Sequence, residues 1–268
     1  MLEELIDIVV RAGSEILDVY GTAFDVESKS DDSPLTEADL RANRVIVDGL
    51  SAIDPAIPVI SEESDAPSYS VRRTWRRYWL VDPLDGTREF VNRNGEFTVN
   101  IALIEDGEPV LGIVGAPVQG DVYIGDVNKQ EAFRIVGSSR QSITTRELGD
   151  DGITVVTSRS HGSERLERYL ESLIPIFGRV DRIAMGSSLK LCLLAEGRAD
   201  FYPRLGPTSE WDIGAAQAVL RAAGGSVTQM DGSVLRYNTK ASLLNPEFFA
   251  VGDASLNWNE RLPPMTDN

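Results

Sequence analysis

Two carboxylates three residues apart, Asp82 and Asp85, stand in the segment Trp79-Leu80-Val81-Asp82-Pro83-Leu84-Asp85-Gly86-Thr87. The apolar run before Asp82 reads as a buried strand, and the Asp-Pro step as its end at a polar edge. Carboxylates held that close repel each other. The usual remedies are a shared proton or a divalent cation. Gly86 permits a close backbone approach, and Thr87 is placed to cap a following helix. Acids beside a helix start suit a cation that bridges protein and phosphate.

Three further segments bear on that chemistry. Val59-Ile60-Ser61-Glu62-Glu63 is another apolar run that ends in acids, and Glu210-Trp211-Asp212 opens a helix with an acid. The stretch from Asp31 to Asp39 is an acidic, turn-rich approach to a helix. Taken singly, Asp82 is an ordinary strand-end residue, Asp85 an ordinary turn residue, and Thr36-x-x-Asp39 a helix capping box. Taken together with Gly86-Thr87 and the acids at Glu62-Glu63 and Asp212, Asp82 and Asp85 point to metal ligation. The chain has one histidine and one cysteine, so no His/Cys spacing supports zinc. An all-oxygen donor set suits Mg²⁺, which keeps several waters. An Asp-x-Asp-Gly-Thr motif would supply an aspartyl nucleophile, as in haloacid-dehalogenase-type phosphatases. Here Pro83 occupies that place, so the spacing points away from an aspartyl-phosphate mechanism.

Leu2, Leu5, Ile6, Val9, Ile16 and Leu17 recur with a helical period, which predicts a helix over 2–20 stopped by Gly21. A second helix is expected from about Thr36. Strands are expected at 57–60, 78–81, 97–104, 110–114 and 122–124, the 97–104 and 110–114 pair joined by an Asp106-Gly107 turn. Polar residues near 137–152 suggest a boundary, dividing the chain into 1–145, mixed α+β, and 146–268, α/β. In the second part a strand at 153–157 precedes helices from about Ser163, from Ser187 or Ser188 to Gly197, and from Trp211 to Gly224-Gly225.

With 268 residues and 42% hydrophobic content, the chain can build a large core. Its 42 acidic against 26 basic residues give a net charge of −16, which argues against nucleic-acid binding. The acidity is a solubilising surface for most of these residues, and bound cations can still draw an anionic substrate. Cys192, among leucines, is expected to be a buried core residue. No apolar run is long enough to span a membrane, and the acidic start lacks a leader's basic residues. A cytoplasmic monomer or homodimer is expected, compatible with peripheral attachment at the inner membrane face.

The chain resembles the inositol monophosphatase superfamily. The resemblance rests on Glu62-Glu63, then Asp82-Pro83-Leu84-Asp85-Gly86-Thr87, then Trp211-Asp212, in that order. It implies a layered α-β-α-β-α sandwich and a lithium-sensitive, metal-dependent phosphomonoesterase with two or three Mg²⁺ per site. By the same resemblance, Glu62, Asp82 and the Leu84 carbonyl hold one cation, and Asp82, Asp85 and Asp212 a second. Glu63 orients water. Asp39 takes a proton from the Thr87 hydroxyl, which in turn contacts the attacking water. Gly86 and Thr87 offer backbone N–H groups to the phosphate.

Substrate choice falls to the second part. Ser158-Arg159-Ser160-His161, Gly186-Ser187-Ser188-Leu189-Lys190 and Tyr202-Pro203-Arg204 place His161, Lys190 and Arg204 as potential cations on successive loops of an acidic chain. A serine-rich helix start is most often a cap, yet a lysine at a helix start opposes the usual dipole preference. These segments resemble the 3′(2′),5′-bisphosphate nucleotidase branch, in which His161, Ser187, Lys190 and Arg204 would hold the nucleotide and its 5′-phosphate. The implied substrate is adenosine 3′,5′-bisphosphate, cleaved to AMP. Two alternatives share much of the pattern: an inositol or other sugar monophosphatase, and a catalytically silent metal- or nucleotide-binding regulator.

Overall fold

The computed structural model describes residues 1–28, 34–160 and 162–264. The sequence-based expectations at Asp31 to Ser33 and at His161 lie outside the described residues. Helix α1 (Leu2–Tyr20) is followed by a small antiparallel ribbon of β1 (Glu27–Ser28) and β2 (Pro34–Leu35), and then by α2 (Glu37–Ile53). A seven-stranded sheet follows in the order β3 (Val59–Ser61), β4 (Arg77–Asp85), β5 (Thr98–Glu105), β6 (Glu108–Ala116), β7 (Asp121–Asp126), β8 (Glu131–Val136) and β9 (Ser139–Ser142). Only the β3–β4 pairing is parallel. Two short helices interrupt it, α3 (Tyr69–Arg72) between β3 and β4, and α4 (Thr87–Val91) between β4 and β5.

The second sheet has five strands in the order β11-β10-β12-β14-β13: β10 (Ile153–Ser158), β11 (Val180–Met185), β12 (Phe201–Arg204), β13 (Ser226–Gln229) and β14 (Phe248–Val251). The helices of this half are α5 (Glu164–Phe177), α6 (Leu189–Ala195), α7 (Glu210–Ala222) and α8 (Trp258–Arg261).

Side-chain alternation explains the layering. In β4, Trp79 and Val81 pack against α1 and α2 with Leu5, Ile8 and Ile46. Tyr78 and Leu80 point the other way, into a core shared with α6, α7 and the second sheet. Both faces of β4 are therefore buried, which is why it reads as a continuous apolar run. A third core joins α5 and α8 to the outer face of the second sheet through Leu170, Phe201, Phe249 and Trp258. The result is the expected five-layer α-β-α-β-α sandwich.

Three local expectations need correction. β4 does not stop at Asp82; it continues to Asp85, and the register slips so that Pro83 and Leu84 face Val99 alone. Proline has no N–H for the ladder, so a bulge falls there. Residues 139–142, read as part of a polar boundary, form edge strand β9; all four are exposed, so no apolar alternation marks them. Lys190 and Arg204 are not on loops: Lys190 is in α6 and Arg204 ends β12.

Candidate active site

The bulge in β4 turns both of its acids toward one place. Asp82, 1% exposed, takes the Leu84 N–H on Oδ1 at 3.0 Å. Asp85, at the strand end, faces Asn100 Nδ2 at 3.4 Å and the Thr98 hydroxyl at 3.5 Å. Gly86 follows with φ +93°, and a Cβ there would come within 3.2 Å of the Glu96 carbonyl oxygen, so the turn requires glycine.

The expected capping role of Thr87 is not what forms. Gly86 occupies the cap position and Thr87 is the first residue of α4. Its hydroxyl is therefore available elsewhere. It lies 3.3 Å from Asp39 Oδ1 and 3.2 Å from the Leu84 carbonyl oxygen. Asp39 is 1% exposed and serves two purposes at once. Its Oδ2 accepts the Thr36 N–H at 2.8 Å and the Thr36 hydroxyl at 2.7 Å, completing the capping box of α2. Its Oδ1 faces Thr87. Asp39 thus caps α2 through one oxygen and contacts Thr87 through the other.

Asp212 repeats the device. As the third residue of α7 it accepts the Ser209 N–H at 3.0 Å, and it lines the same cavity as Glu62, Asp82, Leu84, Asp85, Gly86 and Thr87. Ser187, Lys190 and Arg204 line that cavity too, and it measures about 230 Å³. Glu63 does not line it; its carbonyl oxygen accepts from Asn43 at 3.4 Å. Ser158 and Ser188, from the segments expected to choose the substrate, line it as well, and so do Arg88, Glu89 and Thr208, which were not anticipated. Nothing in the spacing of Glu89 marks it as 5% exposed.

Like charges gathered out of water resist ionisation. Burial raises Asp82 well above the usual carboxylate range, and the charges of Glu62, Asp85, Asp212 and Asp39 raise it further. Burial lifts Asp212 to about 8, aided by Asp85 and opposed by the Ser209 N–H and Arg204. Asp85 is raised by burial to about 6, with Lys190, the Ser188 N–H and Asn100 pulling the other way.

The donor set fits a hard divalent cation. It consists of carboxylate oxygens and a main-chain carbonyl, with no sulfur or imidazole. Among the described residues no three His, Cys, Asp or Glu side chains already converge on a single point. Mg²⁺ needs no such cage, since it takes one or two carboxylates and fills its octahedron with waters and phosphate oxygens.

A stability prediction follows from these raised values. In the folded, metal-free protein the acids hold protons that the unfolded chain releases near its ordinary value of 3.8. Folding is then favoured below that value, and this stability is lost as pH rises through about 6 and about 8. Mg²⁺ should therefore raise Tm more at about pH 8 than at about pH 5, because only at the higher pH does it relieve ionised acids. Thermal scans with Mg²⁺ and with chelator check this; an equal or larger gain at the lower pH would contradict it.

The geometry can be set beside known proteins. A model of the inositol monophosphatase family matches residues 1–259. The 3′(2′),5′-bisphosphate nucleotidase CysQ of Escherichia coli strain K12 is 48% identical over 250 residues, 92% of this chain and 98% of that one. The crystal structure of CysQ from Bacteroides thetaiotaomicron, a bacterial member of the inositol monophosphatase family, superposes with a TM-score of 0.82 at 40% identity, covering 93% of this chain and 96% of that chain. An IMPase of Thermotoga maritima shares the fold, with a TM-score of 0.75 at 24% identity over 94% of this chain and 91% of that one. The chain belongs to the inositol monophosphatase family, and membership implies a divalent metal cofactor.

Proposed function

We propose that the chain is a Mg²⁺-dependent 3′(2′),5′-bisphosphate nucleotidase that hydrolyses adenosine 3′,5′-bisphosphate to AMP and phosphate. One observation carries the substrate reading. Arg204 borders the same cavity as the carboxylates, and its buried Nε has no hydrogen-bond partner among the described residues. Its Nη2 donates to the Pro207 carbonyl at 2.6 Å, which fixes the guanidinium. A buried, unpartnered guanidinium N–H is costly and is relieved by an anion. A simple monoester has one phosphate, which the acid side of the cavity takes with its cations. A second anion on the substrate accounts for Arg204. A further cavity of about 360 Å³ adjoins there, sharing Ser158, Tyr202 and Arg204 and giving room for a group beyond the scissile ester. The identity with a protein named for this activity supports the same reading.

In this reading Glu62, Asp82, Asp85, Asp212 and the Leu84 carbonyl hold two or three Mg²⁺ ions. Bound there, such ions would supply charge neutralisation for the acids, a grip on phosphate oxygens and a more acidic water. The side chains do the rest. Thr87 Oγ1 donates to Asp39 and keeps its lone pairs for a proton from the attacking water; Asp39 takes the threonine's own proton in turn. Helix α4 has only five residues, so its dipole adds little, and the Gly86-Thr87 turn contributes individual N–H groups. Glu63 is assigned an outer role in ordering water near Glu62.

Lys190 is less free than Arg204. It is 8% exposed, bonds the Ser187 carbonyl, stands 5.7 Å from the centroid of the Tyr202 ring, and its charge favours ionised Asp85. Its removal would disturb the carboxylates as well as the substrate, whereas Arg204 is only the smallest of the influences on Asp212, so Arg204 gives the cleaner test. Arg204→Ala should lower kcat/KM for the bisphosphate by about 10- to 150-fold, the worth of a charge-assisted hydrogen bond. Hydrolysis of inositol 1-phosphate should change little. Equal losses on both would remove the second-anion assignment. Phosphate release from adenosine 3′,5′-bisphosphate, AMP and inositol 1-phosphate by the unaltered protein tests the function itself; a preference for inositol 1-phosphate would favour the sugar phosphatase alternative.

A further inference from the structure

Glu96 lies between α4 and β5, on the segment that carries the catalytic turn, yet its carboxylate bonds to Arg159 and Gly186 in the second half of the chain. Its Oε1 accepts from Arg159 Nη2 at 2.6 Å, and its Oε2 accepts from Arg159 Nε at 2.7 Å and from the Gly186 N–H at 2.8 Å. Arg159 follows β10, and Gly186 follows β11 and precedes Ser187. The arginine is itself oriented, since its Nη2 also donates to the Ala184 carbonyl at 2.9 Å and its N–H to that of Met185 at 3.3 Å. Glu89, two residues after Thr87 in α4, adds a parallel contact, accepting the Ser160 hydroxyl at 2.5 Å.

The fit is tight. A Cβ at Gly186 would fall 2.6 Å from the Glu96 carbonyl oxygen and 2.7 Å from Glu89 Cγ, so the backbone there is pressed directly onto the two glutamates. Immediately after it, Ser187 is held at φ +49°, a left-handed conformation unusual for serine. Such strain persists only where the surroundings over-determine it. The Glu96 carboxylate is 16% exposed and its partner Arg159 43% exposed, so the pair is partly screened but the Gly186 bond is sheltered.

We propose that Glu96 is a positioning residue that sets substrate specificity. It clamps the Ser158–Ser160 loop and the Gly186–Ser187 turn to the segment bearing Asp85 and Thr87. This inference rests on the nucleotidase reading and deepens it. The catalytic turn needs no help from Glu96 to bind a scissile phosphate. A substrate with a second anion, however, must reach the acids and the second-half loops together, and the clamp fixes the span between them. Remote binding energy aids turnover only when that span is correct.

The test compares Glu96→Gln, Arg159→Gln and the double variant with the unaltered enzyme on adenosine 3′,5′-bisphosphate and inositol 1-phosphate. Glutamine preserves shape but offers one acceptor and no charge. Each single variant should lower kcat/KM for the bisphosphate by about tenfold, chiefly through KM, and leave inositol 1-phosphate within about twofold. The double variant should be no worse than the more damaging single one if the two residues act as a unit. Glu96→Asp, which retains the charge, should recover part of the loss. A merely structural role would lower Tm and depress both substrates alike, and that result overturns the proposal. If the unaltered enzyme shows no preference for the bisphosphate, the nucleotidase reading falls and the proposal with it. A preference that survives Glu96→Gln undiminished removes the proposal alone.

Discussion

Asp82→Asn is expected to reduce phosphate release by about 10³-fold or more while leaving the protein folded. Asp82 is the acid whose ionisation is opposed by burial and by four neighbouring carboxylates, and it sits where the bulge brings the strand to the cavity. In the proposed site it serves both cations, so its loss removes several kcal/mol of transition-state stabilisation. The same change should stabilise the metal-free protein, because it deletes a carboxylate that must be either protonated or repelled. Asn retains a side-chain oxygen for the Leu84 N–H. A gain of about 1 kcal/mol corresponds to a Tm rise of roughly 2–4 °C in a protein of this size. Activity assays at saturating Mg²⁺ and thermal scans in chelator read the two effects separately. Near-normal turnover, or a lower metal-free Tm, would contradict the metal assignment.

Thr87→Ala should lower kcat by about 10²- to 10⁴-fold, the usual range for general acid–base catalysis, with a smaller effect on Mg²⁺ dependence. The hydroxyl has no capping bond to lose but gives up its contacts with Asp39 and the Leu84 carbonyl, so stability should fall by only about 0.5–1.5 kcal/mol. Thr87→Ser should retain most activity, since it keeps the oxygen. Asp39→Asn attacks the same unit from the other side, and the double variant should be far less than additive. Asp39 also caps α2, so its substitution carries a stability cost of about 0.5–2 kcal/mol. Thr36→Ala serves as the control: it removes cap bonds but spares the Asp39–Thr87 contact. If Thr36→Ala matched Thr87→Ala in lost rate, the catalytic reading of the pair would fail.

What the sequence disclosed depended on whether a residue's role was local. Helix α1 was legible over its whole length because its buried Leu5, Val9 and Ile16 repeat on one face. β4 was legible because both of its faces are buried. β9 was not, because an exposed edge strand held by backbone bonds leaves no apolar pattern. In the site, the acids of β4, α2 and α7 announced themselves by spacing and turn chemistry. Their convergence was visible only through resemblance, since strand pairing and α7 packing decide it. Glu96 was silent because its three bonds reach residues 63 and 90 positions away. Thr87 was read as a cap because sequence cannot tell which residue of a Gly-Thr pair ends the turn; the left-handed φ of Gly86 settles it.

The most direct measurement is the reaction itself, run with adenosine 3′,5′-bisphosphate and Mg²⁺ in ¹⁸O-enriched water and read by ³¹P NMR. Direct attack by water at the 3′-phosphate predicts AMP as the nucleotide product, one ¹⁸O atom in each released phosphate, and loss of both signals on chelation. Adenosine 3′-phosphate as product, or hydrolysis that persists without divalent cations, would contradict it.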